Sequence, residues 1–312
     1  MARRIAWNPQ RSFARFIMRI SIGATAISVA VMIVAVSLVN GFQSAVSEKV
    51  FGFWGHVRIQ ERQAPRSLIA EEIPLYQNDS LIQQVRNDPN IQSIHPFATR
   101  YGVLKTKEDM EGLMIKGIGS ESFPTELRSF LKQGQLPGRT DSGFSRDLLI
   151  SQYTADRMRL SVNDSLLLYF LQADQAPRPK KIRIAGIYKT GIEQYDRLFA
   201  IGDLRLIQQL NGWAPEQIGG YELFLHDPKT IENTARNLFE LDAFPQNWEP
   251  IPITRLIPSI FDWLALMDNT RSVLIGLMIA VALINLITCL LILVLERVRM
   301  IGTLKALGAS DW

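Results

Sequence analysis

Two uncharged apolar runs, residues 20–39 and 272–295, limit what this chain can fold into more than any other feature. As helices they measure about 30 Å and about 36 Å at 1.5 Å per residue, enough to cross a hydrocarbon core of about 30 Å. Both are read as transmembrane helices. Arg3, Arg4, Arg11, Arg15 and Arg19 precede the first run, a pattern shared with secretory signals. A signal core is shorter, about 7–15 residues, and no small-x-small site follows Val39 cleanly, so retention as an anchor is the expectation.

Charge then assigns the sides. Residues 1–40 carry those five arginines and no acid, and residues 272–312 carry Arg297, Arg299 and Lys305 against Glu296 and Asp311. Of the 34 basic and 30 acidic residues, 26 and 28 remain for the middle of the chain, which is close to neutral. The positive-inside rule therefore places both ends in the cytoplasm and residues 41–271 outside. The expected division is a cytoplasmic segment at 1–19, helices at 20–39 and 272–295, an outer domain at 40–271 and a cytoplasmic helix at 296–312. Once the basic ends are assigned to membrane flanks, no basic patch is left for nucleic acid. Cys289, the one cysteine, falls inside the second run and has no partner for a disulfide within the chain. The outer domain must fold on its core alone, which is compatible with a periplasm.

Small residues crowd the first half of run 20–39, among them Gly23 and Ser28, and let helices approach closely. Asn285 lies midway along the second run, at a depth where an amide normally bonds a neighbouring helix. At Asn40 the chain is expected to leave the bilayer, with Phe42, Phe51, Phe53 and Trp54 at the membrane–water interface. From Val57 the pattern changes to strands and short helices. A helix near 80–88 has Leu81, Ile82 and Val85 on one face and Asp79 or Ser80 as its cap. Residues 91–105 and 111–118 read as a hairpin around TKEDMEG. Strands near 146–151, 165–171, 180–188 and 198–201, with helices near 153–160 and 203–210, read as a β-rich insert at about 134–215. A strand at 221–226, a helix begun by Asp227 and Pro228, a strand at 247–253 and a helix at 254–267 follow. The fold class expected is membrane α-helical, two transmembrane helices with a large α+β periplasmic domain of two subdomains.

The usual catalytic constellations are absent from the sequence. There is no G-x-x-x-x-G-K-[ST], no H-E-x-x-H, no paired cysteine spacing and no G-x-S-x-G. His56, His95 and His226 sit in or beside strands and read as structural. The chain is expected to be non-catalytic, with no cofactor or metal of its own.

The second run ends abruptly in ERVRMIGTLKALGAS. Ile301, Leu304, Lys305 and Gly308 follow one helical face, Met300, Leu304 and Leu307 form an apolar stripe, and Gly308 is placed to end the helix. Two readings stand: an amphipathic helix lying on the membrane surface, or one docked in the groove of a cytoplasmic partner.

ERVRMIGTLKALGAS resembles the signature after the second membrane helix in ABC permeases of the lipoprotein-releasing type and the wider FtsX/MacB-like superfamily. SLVNGFQSAV, GHVRIQ, MIKGI, LISQYTADRMRLSVNDSLLLYF, and IAGIYKTGIEQYD followed by LFAI resemble successive segments of that family, in the right order. The resemblance implies a permease subunit in the bacterial inner membrane, coupled to a separate cytoplasmic ATPase that holds ATP and Mg. It implies a second permease subunit, the chain itself or a paralogue, and release of lipoproteins from the surrounding lipid. It also implies a coupling helix with Glu296 and Arg297 at its root and Ile301, Gly302, Leu304, Lys305, Leu307 and Gly308 along it. Two features depart from the pattern. Family members continue with two more membrane helices, so the expectation is that the chain is truncated or that the remaining helices come from elsewhere. The loop 172–179 is short where one subunit of the lipoprotein-releasing pair carries a long chaperone-binding hairpin; a basic contact through Arg178, Lys180 and Lys181 stays open there. Two alternative functions stay open as well: FtsX-like regulation of cell-wall hydrolases, and a passive membrane-tethered binding module.

Overall fold

The structure, a computed structural model, describes residues 13–64, 72–119, 123–138, 143–170 and 179–308. Readings that fall on 1–12, on 172–178 with Arg178, or on 309–312 lie outside the described residues. The chain divides into two units, residues 1–45 with 259–312, and residues 46–258.

Helix α1, Phe13–Trp54, runs for 42 residues. It contains the run 20–39 and continues unbroken through Asn40, Gly41 and Glu48, so the helix does not end where the apolar run ends. The reason is the last turn. Val50, Phe53 and Trp54 are almost wholly buried in the second unit, as core residues and not interfacial ones. Phe51 is half-buried, while Phe42 is exposed and packs edge-on against Trp263 at 5.6 Å.

The second unit then unfolds in chain order as β1 (Val57–Glu61), β2 (Leu75–Tyr76), α2 (Asp79–Arg86), β3 (Ile91–Lys105) and β4 (Met110–Ile118). Next come α3 (Thr125–Ser129), β5 (Leu131–Gly134), β6 (Asp147–Ser151), α4 (Gln152–Met158), β7 (Ser165–Phe170), β8 (Pro179–Tyr188), α5 (Glu193–Leu198) and β9 (Phe199–Asp203). The unit closes with α6 (Leu204–Asn211), β10 (Gln217–Ile218), β11 (Gly220–Leu225), α7 (Ile231–Phe239), β12 (Trp248–Pro252) and α8 (Ile253–Leu256). Helix α2 buries Leu81, Ile82 and Val85 as its spacing requires, but its cap is Asn78, whose Oδ1 accepts from the Leu81 amide at 3.1 Å. That corrects the choice of Asp79 or Ser80. At the other end of the domain, Asp227 accepts from the Lys229 amide ahead of α7.

One sheet of ten strands runs β12-β1-β11-β3-β4-β9-β6-β8-β5, and β7 joins β8 back to β3. The path β3-β4-β9-β6-β8-β7 therefore returns to its start and closes a six-stranded barrel. Strand β3 makes this possible by its length of 15 residues, against about 5–6 for an ordinary strand. Its first half pairs with β11 and its last four residues with β7, while β4 lies along its second half. Strands β7 and β9 of the insert pair with β3 and β4 of its flank, so the insert and its flanks are joined in one sheet.

Side chains alternate between the two faces of these strands. One face carries Leu104, Leu113, Ile115, Leu148, Ile150, Leu168 and Ile184 into a common apolar core that also takes in Leu206 and Ile207 of α6. Gly117 permits this packing, because a Cβ there would stand 2.6 Å from Ile207 Cγ1 and 2.9 Å from Leu204 Cα. The opposite face of β1, β11, β3 and β4 is unlike it, and is described below.

Helix α9, Pro258–Ala306, is 49 residues long and includes both the run 272–295 and the exit segment to Ala306. The expected helix at 254–267 is corrected to α8 and the start of α9, with the break at Ile257 before Pro258. Two segments, Arg19–Trp54 and Pro258–Ile292, are long and apolar enough to cross a membrane.

Candidate functional site

Within the first unit, Asn285 is the polar contact of the long helices. Its Nδ2 donates to Thr25 Oγ1 at 2.6 Å and to the Ser21 carbonyl at 3.3 Å, and its Oδ1 accepts from Ser21 Oγ at 2.5 Å. An amide buried in hydrocarbon must find such partners, which fixes the register of one helix against the other. Ser28 is half-buried nearby in sequence. At Gly23, by contrast, an added Cβ would meet no atom within 4 Å. Within this chain the contacts to Asn285 are made by Ser21 and Thr25, which carry hydroxyls as well as small size.

The exit segment is the C-terminal end of α9 and not a separate helix. Glu296, Arg297, Ile301, Gly302, Leu304 and Lys305 all lie on it, and Leu307 and Gly308 follow it as a turn. The Gly308 amide donates to the Lys305 carbonyl at 3.0 Å with φ +92°, a conformation suited to glycine at a helix end. Ile301, Leu304 and Leu307 are 47%, 49% and 80% exposed, a stripe of apolar surface beyond the membrane run.

The second unit holds a feature that the sequence did not announce. On the face of the sheet opposite the apolar core, four ionisable side chains are buried together: Arg58 on β1, Glu72 in the segment before β2, Lys116 on β4 and Glu222 on β11. Arg58 Nη2 lies 2.6 Å from Glu72 Oε1, and the guanidinium stacks over Phe97 at 4.1 Å. Glu72 accepts further bonds from the Thr99 amide at 2.8 Å and Thr99 Oγ1 at 2.7 Å. Lys116 Nζ lies 2.8 Å from Glu222 Oε2 and also donates to the backbone carbonyl of Phe53. Its ammonium faces the rings of Trp54 at 4.6 Å and Phe53 at 5.0 Å. Burial pulls the Lys116 ammonium below its ordinary range and pushes the Glu222 carboxyl above its own, and the charge of each opposes both shifts. The network thus reaches the last turn of α1. A hint stood in the sequence: Arg58, Lys116 and Glu222 each interrupt an apolar strand, and hydropathy alone gives such a residue no partner.

His56 sits between α1 and β1 with its ring stacked on Phe51 at 4.4 Å, and its Nδ1 accepts from the Leu225 amide at 3.0 Å. Burial lowers its pKa from 6.5 to about 4. The unfolded chain takes up this proton below about pH 6.5 and the folded chain only near pH 4, so stability falls as pH drops through that window. The loss approaches about 3 kcal/mol at about 1.4 kcal/mol per unit. Thermal unfolding of wild type and His56→Gln at pH 7 and pH 4.5 is expected to give a shallower pH dependence in the variant. Parallel slopes would count against this assignment. Among the described residues no group of three or more His, Cys, Asp or Glu is placed to hold a metal ion.

Residues 20–238 match the family described as MacB-like periplasmic core domain, and residues 272–312 match FtsX-like permease C-terminal. A lipoprotein-releasing system transmembrane protein LolC of Neisseria meningitidis serogroup B is 24% identical over 320 residues, 96% of this chain and 71% of the relative. A lipoprotein-releasing system transmembrane protein LolE of Haemophilus influenzae is 24% identical over 325 residues, 98% of this chain and 74% of the relative. Among solved structures, the periplasmic region of MacB from Actinobacillus actinomycetemcomitans overlays with a TM-score of 0.43 at 14% identity, covering 65% of this chain and 91% of that one.

Proposed function

This chain belongs to the MacB-like periplasmic core domain family, with an FtsX-like permease segment after it, and on that premise we propose that it is a permease subunit of a lipoprotein-releasing ABC transporter. It works in the bacterial inner membrane with both ends of the described chain in the cytoplasm and the unit 46–258 in the periplasm. A separate cytoplasmic ATPase, holding ATP and Mg, supplies the energy; this chain contributes no catalytic group. A second permease subunit, identical or paralogous, completes the membrane part, and the substrate is a lipidated protein taken from the bilayer. The observation that carries this reading is collinearity: two relatives named for lipoprotein release align over 96% and 98% of the chain, through both long helices and everything between. The unbroken α9 supports it, since a partner at Leu304 would act on the same rigid helix that spans the membrane.

Purification of the full chain in mild detergent tests it. The expected result is co-purification of a P-loop ATPase whose hydrolysis rises severalfold with a lipidated protein and not with the same protein lacking its lipid. No associated ATPase, or equal stimulation by both forms, would overturn the reading.

A further inference from the structure

The last turn of α1 presents a problem that the fold solves in an unusual way. The final carbonyls of a helix have no partner within it, and a cation near them is stabilising. No basic residue stands in the last turn of α1, yet the Phe53 carbonyl is met by the buried ammonium of Lys116, carried on β4. Lys116 is in turn held by Glu222 at 2.8 Å, and the two side chains are 0% and 1% exposed. Between them lies β3, which pairs with β11 on one side and β4 on the other. The pair therefore ties the barrel, the flanking sheet and the helix end at one point. Only Gly55 and His56 separate α1 from β1, with the Gly55 amide donating to the Phe51 carbonyl at 2.7 Å and the His56 amide to Leu223 at 2.7 Å. The junction is short on the covalent side and clamped on the other.

A buried ion pair is a poor device for stability alone, because apolar side chains of similar size do as well or better. An ammonium does something they do not: its three donors and fixed position specify where the helix end sits. We infer that Lys116 and Glu222 are positioning residues that lock the last turn of α1 to the sheet, so that a displacement of this helix is delivered to the barrel without slipping. The inference deepens the transporter reading and rests on it for its functional consequence.

The decisive variant is the double replacement Lys116→Met/Glu222→Met, which removes both charges at once and leaves neither buried unpaired. In the full chain with its ATPase, it is expected to insert, to bind the ATPase and to unfold within a few degrees of wild type. Hydrolysis without substrate stays within twofold of wild type, while the increment caused by a lipidated protein falls at least tenfold. Amide exchange at Gly55, measured without any partner, is expected to quicken at least tenfold as the last turn frays. A double variant with wild-type stimulation, or with wild-type exchange at Gly55, overturns the clamp. Should that variant fail to accumulate, Lys116→Gln decides by the same exchange, since one amide donor pair does not reproduce the ammonium; wild-type protection there also overturns it. If wild type itself shows no stimulation, the transporter reading falls, and the exchange result still judges the clamp.

Discussion

Leu304→Asp is expected to abolish association with the proposed cytoplasmic ATPase while membrane insertion is unchanged. Leu304 lies between Ile301 and Leu307 on the apolar stripe at the end of α9, one helical turn from each, and all three are exposed in this chain. Residues so spaced act as anchors when a helix enters a groove. A carboxylate in the place of the central anchor loses apolar burial and leaves a charge desolvated without a partner, a cost of several kcal/mol. At about 1.4 kcal/mol per decade, affinity falls by a hundredfold or more. Co-purification measured against wild type, with membrane insertion followed in parallel, checks this. Undiminished association in Leu304→Asp would remove the coupling role from this segment.

Arg58→Ala is the second large effect, and it concerns stability. The guanidinium is buried, ion-paired with Glu72 at 2.6 Å and stacked on Phe97. Its removal leaves the Glu72 carboxylate buried with Thr99 as its hydrogen-bond donor and without its ion-pair partner. Breaking such a pair costs about 3–5 kcal/mol, and in a domain of roughly 200 residues each kcal/mol lowers Tm by about 2–4 °C. A fall of roughly 6–20 °C is expected in thermal unfolding of the detergent-solubilised chain. The double variant Arg58→Met/Glu72→Met is expected to recover most of it, because the same principle predicts that paired apolar replacements are tolerated. A single variant within about 2 °C of wild type would show that Glu72 needs no counter-charge there.

Much of the fold was legible because it is written in local pattern. The runs 20–39 and 272–295 lie within α1 and α9, and the hairpin from Ile91 to Ile118 follows from alternation and the turn between its strands. The missed features share a cause, which is that they depend on residues far apart in the chain. Helix α1 continues past Asn40 because Phe53 and Trp54 find a core whose other members include Tyr188, Tyr195 and Phe199. The barrel closes through pairs such as Gly102 with Phe170 and Met114 with Phe199, which no window of sequence contains. Helices α3 and α5, of 5 and 6 residues, have no side-chain cap to announce them. The candidate site divides in the same way. The stripe at Leu304 is visible as periodicity, and so is the exceptional place of Asn285 in an apolar run. The network of Arg58, Glu72, Lys116 and Glu222 was not, because each charge seen alone belongs on a surface. Only the pairing makes its burial affordable.

The unbroken course of α9 sets an angular phase. At about 100° per residue, the azimuth of Leu304 is fixed relative to that of Asn285 on the same helix. No proline follows Pro258 within α9 to absorb a twist. A single residue inserted between them turns the stripe by about 100° while the amide keeps its bonds to Ser21 and Thr25, whereas four residues turn it by only about 40°. A turn of one end of this helix is therefore a turn of the other, and the stripe at Leu304 is timed to Asn285 as gear teeth on one shaft.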